Sequence, residues 1–349
     1  MKNNFYKFTK NCEKFQNNNS LNPFFWQIGH VLFFFDNLIF KNLTNCERLN
    51  ENKLDNNFDS FITPLKYRDY KRFNYDYLKQ LLKKIINILK FFIKNNKISN
   101  IESYLIMLGI LHTDMHIEAF IFSRLNISNE LFLNIDIGNE CDKIIDKIDF
   151  IEYNSGNYLQ GINDDKNFLI FDNEMPSFKK KINKFSISKY PITEYLFLQF
   201  VLNGGYNNKK YWCNISYKWK NKNNIFLPLY WYENNGEYYK LINNKKYDLK
   251  TNLPISNISF YEAMAYCRWK RVRLPTESEF EYVATNEGTT KFPWGNDMPS
   301  NKNSNLNYNN YLVSVNKFKN SENNKNVSQL IGNIWEWCEE AIYPYDGFK

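Results

Sequence analysis

The chain of 349 residues holds only three histidines, and each stands where a metal site would want it. His30 closes Trp26-Gln27-Ile28-Gly29-His30, while His112 and His116 bracket His112-Thr113-Asp114-Met115-His116. Residues four apart share one face of a helix, so His112 and His116 can aim two imidazoles at one ion while His30 completes a facial set from a second helix. Three nitrogen donors leave coordination positions open, which a catalytic metal needs and a structural one does not. A zinc-protease reading fails at one place, because the HExxH pattern requires Glu directly after the first histidine and this chain has Thr113. Asp114 and Glu118 each lie two positions from a histidine, about 200° around a helix, and so belong off the metal face in supporting or capping duty.

The elements that carry these residues are apolar. A histidine pair at helical spacing could also be two polar residues on a solvated face, but His30 runs into Val31-Leu32-Phe33-Phe34-Phe35 and His112 follows Tyr104-Leu105-Ile106-Met107-Leu108-Gly109-Ile110-Leu111. Imidazoles in such surroundings need a metal or a hydrogen bond. From about Phe24 to Leu125 the pattern is helical, with Ile28, Val31, Leu32, Phe35 and Leu38, then Leu78, Leu81, Leu82, Ile85, Ile86 and Leu89, recurring at three and four. The asparagine-rich stretch from Asp55 to Pro64 reads as a loop between the first two helices. Long helices with short apolar periods predict an up-down four-helix bundle, a fold that builds metal sites from facing helices. After roughly Asn126 short runs of Ile, Phe and Tyr are broken by Asn, Gly and Pro, with helical period only near Tyr261 to Trp269 and Glu277 to Ala284. The expected organisation is α+β overall: a helical bundle over 1–130, a junction over 131–165 and an irregular domain over 166–349.

Composition narrows the classes. With 43% hydrophobic and 18% aromatic residues the chain is globular and long enough for two cores. The net charge of +8 is spread through lysine and asparagine runs such as Lys94-Asn95-Asn96-Lys97 rather than gathered in a basic stripe, so nucleic acid is not an expected partner. Cys12, Cys46, Cys141, Cys213, Cys267 and Cys338 are too widely spaced for a metal knuckle and are expected as reduced thiols of a cytoplasmic protein. No stretch reaches the roughly 18 apolar residues of a membrane helix, and the N-terminus lacks the apolar core of a secretory signal.

The C-terminal half carries a set of motifs in a characteristic order. Phe171-Asp172-Asn173-Glu174-Met175-Pro176 comes first, followed by Phe185 to Thr193 and by Phe200-Val201-Leu202-Asn203-Gly204-Gly205-Tyr206. Further on stand Ser259 to Trp269, Arg273-Leu274-Pro275-Thr276-Glu277-Ser278-Glu279-Phe280-Glu281, Phe292-Pro293-Trp294-Gly295-Asn296 and Gly332-Asn333-Ile334-Trp335-Glu336-Trp337. This series resembles the formylglycine-generating-enzyme (sulfatase-modifying factor) domain, a C-type-lectin-like fold whose Trp, Gly and Asn residues fix turns and fill the core. The N-terminal motifs around His30 and His112 resemble the DinB-like bundle fused to that domain in the iron-dependent sulfoxide synthases of the EgtB and OvoA type.

The resemblance implies that His30, His112 and His116 ligate Fe(II). It also implies that O2 and a thiol, cysteine or γ-glutamylcysteine, are used to join sulfur to the imidazole carbon of histidine or trimethylhistidine, as in ergothioneine and ovothiol biosynthesis. Three neutral imidazoles suit this chemistry, since a bound thiolate supplies the missing charge. Arg68 and Arg72, in Tyr67-Arg68-Asp69-Tyr70-Lys71-Arg72, are expected to hold the carboxylate of the thiol substrate, for which a guanidinium fork is suited. Oxygen donors among Asn333 to Glu336 are candidate Ca2+ ligands, with a turn-and-core role as the simpler reading. The chain departs from the family at Met115, where several hercynine-using relatives have a polar residue, at Glu194, where Asn is usual, and at Phe280, where Trp is usual. The catalytic tyrosine of the family is expected beyond Lys349. Formylglycine generation is not expected, because none of the six cysteines forms its late catalytic pair. Two other readings stay open: a DinB-type thiol transferase or hydrolase using Zn2+ or Ni2+, and an inactive binding scaffold.

Overall fold

In a computed structural model of the protein, the described residues are 22–49, 54, 56–68, 75–127, 143–163, 169–242, 245–306 and 312–348. The chain divides into two compact units, Met1–Leu131 and Phe132–Lys349.

Three α-helices stand among the described residues of the first unit: α1 (Phe24–Phe34), α2 (Tyr75–Asn95) and α3 (Asn100–Ile127). A fourth helix, as the up-down bundle would require, is not among them. In α2 the amphipathic period is plain, with Leu78, Leu81, Leu82, Ile85, Leu89 and Phe92 buried and Lys83, Lys84, Lys90 and Lys94 in solvent. By contrast α1 has seven consecutive buried residues, Trp26 to Leu32, so its core turns are covered on every side. It continues into a π-helical turn, Phe35–Ile39, and a 3-10 turn, Phe40–Asn42. The wider turn shifts the apolar register, which puts Ile39 and Phe40 in the core and leaves Leu38 45% exposed, against the simple three-and-four reading. Ser99 and Glu102 cap the start of α3 reciprocally, and Glu102 also accepts from the Thr44 amide at 3.1 Å, tying α3 to the end of that segment.

Antiparallel pairs and short helices make up the second unit. Strand β1 (Phe150–Tyr153) pairs with β4 (Phe185–Ser188), β2 (Gly156–Gln160) with β3 (Phe178–Ile182), and β5 (Trp231–Asn234), β6 (Glu237–Ile242) and β7 (Lys245–Asp248) form a meander. Two of these strands fall inside the stretch expected as a junction, so part of it is woven into the second unit's sheets. Helices α6 (Phe260–Lys270) and α7 (Glu277–Ala284) stand at the two helical stretches expected from sequence, each started by a Ser/Thr-x-x-Glu capping box. Helices α4 (Glu194–Leu202) and α5 (Asn214–Lys222) were not expected. Six of the nine residues of α4 are buried, so it shows no polar face and therefore no period. Its first residue, Glu194, is buried against Lys240 in an ion pair and accepts from Thr251 Oγ1 at 3.0 Å, and these two partners satisfy its buried carboxylate.

Candidate metal centre

The two histidine-bearing helices bring their rings together. Trp26, His30 and Phe34 stand at successive fours on one face of α1, while His112 and His116 project from α3. Ring centroids lie 5.2 Å apart for His30 and His112, 5.0 Å for His30 and His116, and 4.7 Å for His112 and His116. One ligand nitrogen from each falls within 4.8 Å of the other two. Neither Asp114 nor Glu118 joins this cluster, so the donor set is nitrogen only.

Neighbouring groups decide which nitrogen two of the three rings present. His30 Nδ1 lies 2.6 Å from the Phe58 carbonyl, an acceptor only, so Nδ1 carries the proton and Nε2 keeps its lone pair. Gln27 donates its amide nitrogen to the Asn22 carbonyl at 3.3 Å, which turns Oε1 toward His116 Nδ1, also at 3.3 Å, and frees that ring's Nε2 in the same way. His112 Nδ1 is buried and has no hydrogen-bond partner among the described residues. Phe34 lies flat on the His112 ring at 3.9 Å, and Trp26 stacks on His30 at 5.1 Å and 8°. Two glycines allow this packing: a Cβ on Gly29 would sit 2.1 Å from the Phe58 ring, and one on Gly109 2.7 Å from the Phe35 ring.

Burial holds all three imidazoles neutral. Desolvation, opposed by the Phe58 hydrogen bond, lowers the His30 pKa; desolvation and His30 take His112 down to about 4; desolvation, His112 and His30 take His116 down to about 3. Neutral imidazoles, two of them fixed in tautomer, are what a first-row divalent cation binds, and the His112 nitrogen left without a partner among the described residues marks a cluster that is unsatisfied without one. The residues present therefore fit a mononuclear metal ion.

Arg68, expected to hold a substrate carboxylate, makes its described contacts with the chain itself. Its guanidinium carbon lies 4.1 Å from the centre of the Trp26 ring, and its N–H groups go to the carbonyls of Thr63 (3.0 Å) and Ser60 (3.2 Å) and to Asn22 Oδ1. Arg72 lies outside the described residues. Asn333 shows a turn-and-core role: its oxygen accepts from Asn305 and the Val313 amide at 3.1 Å each, and its amide donates to Val313 and Gln329. Sequence reasoning missed Gln27 and Phe58. The spacing of Trp26 and Phe34 from His30 was a usable signal, whereas a carbonyl 28 residues away in a loop leaves no mark in the sequence.

Residues 143–347 match the sulfatase-modifying factor enzyme 1-like domain. The chain belongs to this family. Among curated proteins, this family member is 26% identical over 182 residues to a hercynine oxygenase of Mycobacterium tuberculosis, covering 51% of this chain and 42% of that protein. It is 25% identical over 182 residues to the hercynine oxygenase of Mycolicibacterium thermoresistibile, covering 51% and 40%. A shorter match, 36% over 110 residues, covers 27% of the chain and 34% of the mouse inactive C-alpha-formylglycine-generating enzyme 2. The chain thus spans about two fifths of the length of the hercynine oxygenases it matches. Together the domain match and these relatives support an EgtB-like protein with a sulfatase-modifying-factor domain. No helix among the described residues is long and apolar enough to cross a membrane.

Proposed function

We propose that the first unit is a DinB-like bundle that holds Fe(II) through His30, His112 and His116, and that the protein uses O2 to join the sulfur of a small thiol to the imidazole carbon of a histidine derivative. One observation carries this reading: three neutral imidazoles from two helices converge in a chain similar to hercynine oxygenases. An iron(II) ion in that set would supply redox chemistry toward O2 and a Lewis-acidic seat for a thiolate. The chain's own residues orient the donors: the Phe58 carbonyl and Gln27 Oε1 fix two tautomers, and Trp26 and Phe34 wall two rings from water. The same donor set is compatible with zinc, which keeps three protein ligands in catalytic sites, so a DinB-type thiol transferase or hydrolase is the second reading.

Anaerobic loading with Fe(II) followed by oxygen uptake decides between them. The proposal expects O2 consumption only with both a thiol and an imidazole acceptor present. It also expects His30→Ala, His112→Ala and His116→Ala each to weaken metal binding by at least the roughly 10–100-fold that supporting residues cost. Tight zinc binding without thiol-dependent oxygen uptake would overturn it in favour of the second reading.

A further inference from the structure

We infer that Arg68 is a positioning residue of the metal centre, pinning the loop of residues 57–63 across Trp26 so that the Phe58 carbonyl stays against His30 and fixes the nitrogen that ring offers to an ion. The inference deepens the metal reading and rests on it.

The loop runs beside α1 with its carbonyl groups turned toward side chains of that helix and of Arg68. Trp26 Nε1 donates to the Asn57 carbonyl at 2.7 Å and His30 Nδ1 to the Phe58 carbonyl at 2.6 Å. Just beyond, Arg68 reaches back from the C-terminal end of the loop and closes it through the Ser60 and Thr63 carbonyls. Its third contact, Asn22 Oδ1, lies at the entrance to α1, and Asn22 through its carbonyl also orients Gln27, the partner of His116. One guanidinium thus joins the middle and the C-terminal end of the loop to the start of the helix that carries His30, and the same group lies over the Trp26 ring, which also stacks on His30. A planar cation with N–H groups diverging along its edge does this; an ammonium, with no plane to lay on an indole, does not. Three of the five N–H groups of Arg68 are already committed to neutral oxygens, which is the signature of a clamp on the backbone. A carboxylate-binding arginine would keep its fork open for the substrate.

The test uses the full chain and the fact that it contains only three histidines, so selective 15N-histidine labelling yields three ring systems and no others. In metal-free wild type, His30 should appear as a single Nδ1–H tautomer. Arg68→Lys, which keeps the charge and loses the fork, and Arg68→Ala should both mix the two tautomers at His30. In the absence of thiol the same variants should weaken Co(II) binding about 10–100-fold and shift its visible bands. Trp26→Phe, which keeps a ring under Arg68 and removes the donation to Asn57, should move the same readouts in the same direction. A variant with wild-type tautomer and Co(II) affinity whose thiol affinity alone falls would overturn the inference and assign Arg68 to the substrate carboxylate. Should Arg68→Ala fail to fold, Arg68→Lys decides. If wild type binds no Co(II), the metal reading fails by itself, and the tautomer measurement in the metal-free protein still settles the clamp.

Discussion

Replacing Gly29 with alanine would set two ordinary effects against each other, and the packing of Phe58 determines the winner. In the middle of a helix the exchange usually helps by about 0.5–1 kcal/mol, because glycine loses more backbone freedom on folding. Here the added Cβ would sit 2.1 Å from one Phe58 ring carbon and 2.5 and 2.6 Å from two more. Carbon contacts settle near 3.5–4.0 Å, so the ring would have to retreat by roughly 1.4–1.9 Å. Phe58 is 1% exposed, so the displacement is expected to pass into its backbone, whose carbonyl lies 2.6 Å from His30 Nδ1. Overpacking of this kind costs about 1–3 kcal/mol, and stranding a buried donor costs about 1–3 kcal/mol more. The expected net loss is on the order of 1–5 kcal/mol, opposite in sign to the propensity gain. All three histidines lie within the first unit, so 15N-histidine signals followed through a urea titration report on that unit alone. The Gly29→Ala protein should unfold at lower urea and bind Co(II) at least about tenfold more weakly than wild type. A variant equal or greater in stability, with unchanged Co(II) affinity, would refute the claim that Phe58 and α1 jointly hold the His30 ring.

Two further outcomes concern the second unit. Lys240→Ala should destabilise it by about 3–5 kcal/mol, because it strands Glu194, 1% exposed, without its cation; the Glu194→Gln, Lys240→Met pair should recover most of the loss, and equal unfolding midpoints for single and double variants would count against this account. Glu281 accepts the Gly161 amide at 2.7 Å, and burial, outweighing that bond and aided by Glu277 and Glu174, pushes its carboxyl up to about 7. A folded-state pKa above the unfolded value near 4.5 means that its contribution is present below pH 4.5 and lost as pH rises through 7. Glu281→Gln should therefore flatten the stability profile between pH 5 and 8, gaining on the order of 1–2 kcal/mol at pH 8 after solvent screening; parallel wild-type and variant profiles in chemical denaturation would contradict this.

Much of the site was legible because it is written in local periods. A four-residue interval places His112 and His116 on one face whatever the rest of the chain does, and the apolar runs around His30 already called for a partner. In the second unit, the helices over Phe260–Lys270 and Glu277–Ala284 stand out as short periodic stretches. What stayed hidden depends on contacts without period. The buried helix Glu194–Leu202 lacks polar contrast, the π turn at Phe35–Ile39 breaks the three-and-four spacing at Leu38, and the acceptors of Arg68 lie in a loop that no local interval marks.

By its residue types and intervals alone, then, the chain determined that three histidines ride on apolar helices and that a sulfatase-modifying-factor domain follows them. Tertiary structure alone decided which nitrogen the His30 and His116 rings present. His30 takes its tautomer from a carbonyl 28 residues away and His116 from a side chain 89 residues away, and hydrogen bonds across such separations exist only once the helices and the loop have packed.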